Sequence, residues 1–306
     1  MTIPLSGNQF TLTHGDYTAT IASVGASLRA LQHRGRDLVV PFEADEVRPA
    51  FRGATLAPWP NRVVDGHYTF EGVEQQLALS EPDRGHALHG LVGWLDFVDI
   101  EDSPSHVLLA TTVEAQAGYP YRVQVRVEYR LGDEGLRTTV SARNTGTDAA
   151  PYGAGPHPYL VAGPGHVDDW TLTLPARQVL AVTEDRLIPT GLTDVAGNDG
   201  VFDFRQPRQI ENTFIDHAFT DLERDGAGIA EIRVTDASGS GVAMRWDAAC
   251  PWVQVHTADR DIPELNRLGL AVEPMTCPPD AFNSGTDLIV LEPGATTSAS
   301  WTIAAI

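Results

Sequence analysis

The sequence predicts an all-β fold: one large domain of antiparallel strands arranged as two or more packed sheets. Three observations predict it. One segment alternates strictly with a period of two, turn chemistry separates several shorter runs of the same kind, and no long stretch reads as helix. In VQVRVEYRL, Val123, Val125, Val127, Tyr129 and Leu131 alternate with Gln124, Arg126, Glu128 and Arg130. Side chains along a strand point to opposite faces in turn, so this segment buries one face and wets the other.

The remaining elements follow in chain order. HYTFEG, from His67 to Gly72, reads as a strand entering a turn. Shorter alternating runs occur at Trp170–Leu174, Ile229–Thr235, Val242–Trp246 and Ser298–Ile303. The apolar run Leu268–Val272 reads as a buried strand. Turn pairs punctuate the series at Gly132-Asp133, Asp225-Gly226, Ser238-Gly239 and Pro293-Gly294. With 28 glycines and 21 prolines spread along the chain, helices are expected to be few and short. No repeat or linker-like composition shift divides residues 1-306, so a single domain is expected.

Composition narrows the function. The 306 residues are 42% hydrophobic and carry a net charge of –20, from 41 acidic and 21 basic residues. Nucleic acid and anionic membranes need a basic footprint, so neither is an expected partner. The first ten residues, MTIPLSGNQF, lack the basic and apolar regions of a secretory signal, and no apolar run is long enough to span a bilayer. Cys250 and Cys277 alone give neither a disulfide framework nor a cysteine zinc site. A cytoplasmic enzyme, monomer or homodimer, is the simplest expectation.

Five segments do not read as scaffold. GAGPHPYL holds His157 between Pro156 and Pro158, which restrict the backbone on both sides; a stiff surface turn is the plain alternative. PWPNR presents Asn61 and Arg62, and an arginine fork suits an oxygen-rich ligand as readily as it suits water. RGHALHGLVGW offers His86 and His89, a poor zinc site without a third ligand, and either a structural pair or a hydrogen-bonding group. In ENTFIDHAFTDL, alternation points Asp216 the same way as Phe214. In LGLAVEPM, Glu273 comes at the end of a buried strand, before a proline, where a carboxylate is costly unless paired or useful.

Taken together, GATLAPWPNR, HALHG, HPYL, FIDHAF and AVEPM make the chain resemble the aldose 1-epimerase (galactose mutarotase-like) family over most of its length. The resemblance implies a β-supersandwich of antiparallel strands. It implies that His157 acts as general acid toward a sugar ring oxygen and Glu273 as general base. It also implies that Arg62, His89 and Asp216 bind sugar oxygens. The substrate would be a free monosaccharide. Gly90 is followed by Leu91 where many members carry a second glycine, and PWPNR with EPMTCPPDAFN resembles a bacterial side branch related to sulfoquinovose mutarotases.

Interconverting anomers requires one group to take the C1 hydroxyl proton and another to protonate the ring oxygen. A carboxylate and an imidazole suffice, so no metal and no redox cofactor is expected. A carboxylate beside His157 is expected to help keep that imidazole charged. The aromatics Trp59, Tyr159 and Phe282 are candidates to stack on the sugar, with core packing the plain alternative for each. Three other functions stay open from sequence. They are a non-catalytic carbohydrate-binding protein, a glycosidase using Asp216 and Glu273 as a carboxylate pair, and a mutarotase for a 6-phospho or 6-sulfo sugar. The last needs cationic contacts near C6, for which Arg52 is a candidate.

Overall fold

The structure, a computed structural model, describes residues 2–306. Two large sheets dominate it, one of nine strands and one of six, and every pairing between named strands is antiparallel. Val123–Gly132 and Gly135–Asn144 form a long hairpin in the nine-stranded sheet. Val123, Val125, Val127, Tyr129 and Leu131 all face the core, each at most 4% exposed, while Arg126 and Arg130 face water. Each such side chain contributes about 1.5–3 kcal/mol by leaving water.

The other expected strands form within a residue or two of their sequence limits, as Thr171–Thr173, Ala230–Thr235, Gly241–Trp246 and Thr296–Ala305. The last of these lies inside the nine-stranded sheet, between Gly135–Asn144 and Gly241–Trp246. His67–Phe70 pairs with Val73–Gln76 across Glu71 and Gly72, both at positive φ, as a tight hairpin turn requires. Among the described residues the α-helix is limited to one turn, Ala281–Ser284.

The six-stranded sheet positions the site. Its order is Tyr159–Leu160, Leu270–Met275, Trp252–His256, Asp216–Leu222, Ala176–Val182 and Pro189–Asp194. The buried strand read from Leu268 to Val272 in fact runs from Leu270 to Met275, so Glu273 and Pro274 lie within it rather than beyond its end. A proline is tolerated there because the ladder from Tyr159–Leu160 reaches only Ala271 and Leu270 and stops short of Pro274. No helix among the described residues is long and apolar enough to cross a membrane.

Candidate active site

His157 sits between two short strands, Gly155–Pro156 and Tyr159–Leu160, which pair with Thr55–Leu56 and with Leu270–Ala271. Its backbone is bonded on both sides: its N–H donates to Ala54 O (3.0 Å) and its carbonyl accepts from Gly53 N–H (2.8 Å). Gly53, at positive φ, leaves no room for a Cβ, which would overlap the Leu28 carbonyl. The segment is no surface turn. The imidazole is buried, with Tyr159 and Phe51 both near-parallel to it at 5.1 and 6.4 Å between centroids, and His89 edge-on at 4.9 Å.

Glu273 reaches the same point from Leu270–Met275, and its Oε1 lies 3.4 Å from His157 Nε2. Arg62 opens the strand Arg62–Val64, opposite Leu88, and its guanidinium is buried. His89 follows that partner strand, with its N–H donated to Asn61 O at 2.8 Å. Both Asn61 and His89 hold positive φ, 55° and 62°, a strained conformation of the kind that clusters at working sites. Asp216 starts the strand Asp216–Leu222, directly opposite His256. Its Oδ1 accepts from Gln254 Nε2 at 2.7 Å, and its Oδ2 lies 3.9 Å from Arg62 Nη2. All five residues to which the resemblance assigns roles therefore line one cleft of about 490 Å³. Phe214, half-exposed and ahead of the strand rather than in it, also lines that cleft.

The electrostatics differ from the expected charged imidazole. Burial pulls His157 down to about 3, with the neighbouring His256 acting in the same direction. Burial, then the Asp216 charge, pushes the Glu273 carboxyl well above its ordinary value. Burial thus disfavours the ionised form of both partners of the 3.4 Å contact, which is not the strong salt bridge its geometry alone suggests. His89 is also pushed well below its ordinary value, by burial and then by His157. For Asp216 burial opposes the charge, but His256, Arg62 and the Gln254 hydrogen bond outweigh it, and the carboxylate is held below its ordinary range. The cleft thus sets a carboxylate whose charge its neighbours favour beside two groups whose charged forms burial disfavours.

Several buried polar atoms here have no protein partner: His89 Nδ1, His157 Nδ1, Gln254 Oε1, His256 Nδ1 and Glu273 Oε2. Burying polar atoms unmet is costly, and hydroxyl groups have the donors and acceptors to pair with atoms of these kinds. Donor atoms of His89, His157 and Glu273 fall within 4.8 Å of one another, a spacing that a cation can bridge. The Arg62 charge acting on Glu273 opposes a second cation at that point. His86 is no part of this group. Its ring faces Arg186 O (2.9 Å) and Asp65 N–H (3.2 Å).

Of the candidate aromatics, Tyr159 lines the cleft, while Trp59 and Phe282 pack on each other in the core, 5.5 Å between centroids. Phe51, Glu81, Gln254, His256 and Arg260 are among the cleft residues that escaped the sequence reading. Gln254 alone had a signal, as a polar residue in the apolar run WVQV. A larger depression of about 950 Å³ lies elsewhere on the surface. Its arginines are spent on local partners, Arg205 on Asp203 and Arg224 on backbone carbonyls, so it offers no comparable chemistry.

The model of the aldose 1-epimerase family matches residues 8–304. The chain belongs to the aldose 1-epimerase family. The uncharacterized protein YihR of Escherichia coli K12 is 40% identical over 291 residues, 94% of this chain and 90% of its own length. An E. coli aldose 1-epimerase is 29% identical over 203 residues, covering 61% of this chain and 57% of that enzyme. The fold matches a crystal structure of a GalM/aldose epimerase homologue from C. elegans. The TM-score is 0.84 at 19% identity, over 98% of this chain and 99% of the other. The expected galactose mutarotase-like architecture of antiparallel sheets is therefore the one observed.

Proposed function

We propose that the protein is an aldose 1-epimerase that interconverts the α and β anomers of a free aldose, with His157 and Glu273 as its proton carriers. The observation that carries this reading is the 3.4 Å approach of His157 Nε2 to Glu273 Oε1 inside a cleft also lined by Arg62, His89 and Asp216. That gap suits one group at the C1 hydroxyl and one at the ring oxygen of a single hemiacetal.

In the resting cleft the pair holds one proton, on Glu273. Sugar hydroxyls bring hydrogen bonds that favour the carboxylate, and the proton passes to His157. Glu273 then takes the C1 hydroxyl proton while His157 protonates O5, and the C1–O5 bond breaks to give the open aldehyde. After rotation about C1–C2 the ring closes on the other face by the reverse transfers. The proton count of the pair is unchanged, so the cycle draws none from solvent. Arg62 and His89 donate to sugar oxygens, and Asp216 accepts from a hydroxyl. The fixed backbone of His157 holds the imidazole at one ring-oxygen lone pair.

We read residues 1-306 as one working domain, because the cleft draws on segments from Pro49 to Glu273. We place the activity in the cytoplasm, where two free, buried cysteines accord with a reducing compartment. The test is polarimetry on freshly dissolved α-glucose and α-galactose. Acceleration of mutarotation supports the reading; none across a broad sugar panel would falsify it and leave a carbohydrate-binding protein.

A second reading within the same reaction is a sugar bearing an anionic group such as a phosphate or sulfonate. Arg52, Arg84 and Arg260 also line the cleft, and neither Arg52 nor Arg260 has a carboxylate ion-pair partner among the described residues. Including hexose 6-phosphates and a 6-sulfo hexose in the panel decides between the substrates.

A further inference from the structure

We propose that Glu81 is a positioning residue, whose carboxylate clamps the Arg62 guanidinium and keeps it from closing onto Asp216. This deepens the sugar-epimerase reading and rests on it. Arg62 donates from Nε to Glu81 Oε2 at 2.8 Å and from Nη2 to Oε1 at 2.9 Å, a two-pronged contact that fixes the plane of the fork. Asp216 Oδ2 lies 3.9 Å from the same Nη2, outside hydrogen-bond range. Arg62 and Asp216 are thus held close but apart, one left to donate to a sugar and the other to accept.

Glu81 is itself anchored. Its N–H donates to His86 O (3.0 Å), and its carbonyl accepts from Gly85 N–H (2.8 Å) and His86 N–H (3.2 Å). Arg84 Nη1 adds a bond to Oε1 at 3.0 Å. Burial opposes the Glu81 charge, but Arg62 and Arg84 outweigh it, so the carboxylate stays ionised. A buried guanidinium deprived of its carboxylate takes the next one within reach. Here that is Asp216, and the two sugar-binding groups then neutralise each other.

The experiment compares kcat and KM for Glu81→Gln and Glu81→Asp, and repeats Glu81→Gln in an Arg62→Ala background. Glu81→Gln is expected to raise KM about tenfold, the worth of one charge-assisted hydrogen bond, with kcat changed far less. Glu81→Asp keeps the charge and is expected to recover part of the loss. In the Arg62→Ala background Glu81→Gln is expected to add nothing, because the clamp has nothing left to hold. An unchanged KM, or an equal loss in both backgrounds, overturns the proposal. If Glu81→Gln does not fold, Glu81→Asp with and without Arg62→Ala carries the same comparison. If the wild type binds sugars without turning them over, the epimerase reading fails; the same comparison made on Kd by calorimetry then decides the clamp separately.

Discussion

His157 Nε2 and Glu273 Oε1 face each other at 3.4 Å, both buried, with burial favouring the neutral form of each. A pair this close is coupled in its titration, so a change at one residue alters the protonation of the other. Removing one member therefore strands the other. The double variant Glu273→Gln/His157→Asn is expected to lose little more activity than either single variant. Losses that multiply would show two independent contributions in place of one relay.

Acid should weaken the fold through the same histidines. His157 is drawn down to about 3 and His89 well below its ordinary 6.5, so the unfolded chain binds protons at these rings that the folded chain refuses. Stability present above about pH 6.5 is then lost as pH falls toward the folded values. Glu273 has the opposite sign. Its raised value stabilises below its ordinary 4.5, and that contribution is lost as pH rises through the folded value. Thermal unfolding across pH checks both. His157→Asn is expected to flatten the decline below pH 6.5, and Glu273→Gln to be at least as stable as the parent at neutral pH. Identical acid slopes for His157→Asn and the parent would contradict the assignment.

Arg62 and Asp216 are proposed to hold the sugar rather than to move its protons, so their truncation is expected to act on binding. Arg62→Ala and Asp216→Asn should each raise KM by about tenfold or more while lowering kcat less. Steady-state kinetics on the preferred sugar separates the two effects. A fall in kcat at constant KM would move either residue into the chemical step.

Gly90 supports the turn that carries His89. It holds φ of 72°, and a Cβ there would overlap the Ala57 carbonyl, which accepts from Leu91 N–H at 2.7 Å. Gly90→Ala is expected to cost roughly 2–4 kcal/mol, from backbone strain plus the clash. Gly35→Ala is the comparison: φ is similar at 74° and nothing lies within 4 Å of the added Cβ, so only the strain of about 1 kcal/mol remains. Equal losses in chemical denaturation would remove the clash from the account.

How much of this the sequence revealed depended on whether a signal was local. Val123–Leu131 could be read because one of its faces is wet, which leaves the alternation visible. Leu270–Met275 is buried on both faces and shows no alternation, so its end was placed too early, at the first charge. His157, Arg62 and His89 stood out because prolines and glycines shape the backbone around them. Glu81 gave no such sign, since its importance comes from Arg62, nineteen residues away along the chain. The protonation of His157 was misread for the same reason. Phe51, Tyr159 and His89 enclose it, and their approach follows from the fold rather than from the octapeptide.

The central claim is that Glu273 and His157 relay protons across one hemiacetal. The most direct test is the anomer-exchange rate of Glu273→Gln on the preferred sugar, measured by polarimetry or NMR exchange beside the parent enzyme. The account predicts a kcat lower by at least about 10²-fold in a protein that still folds and still binds sugar. A folded Glu273→Gln variant that retains half the parent rate would contradict it.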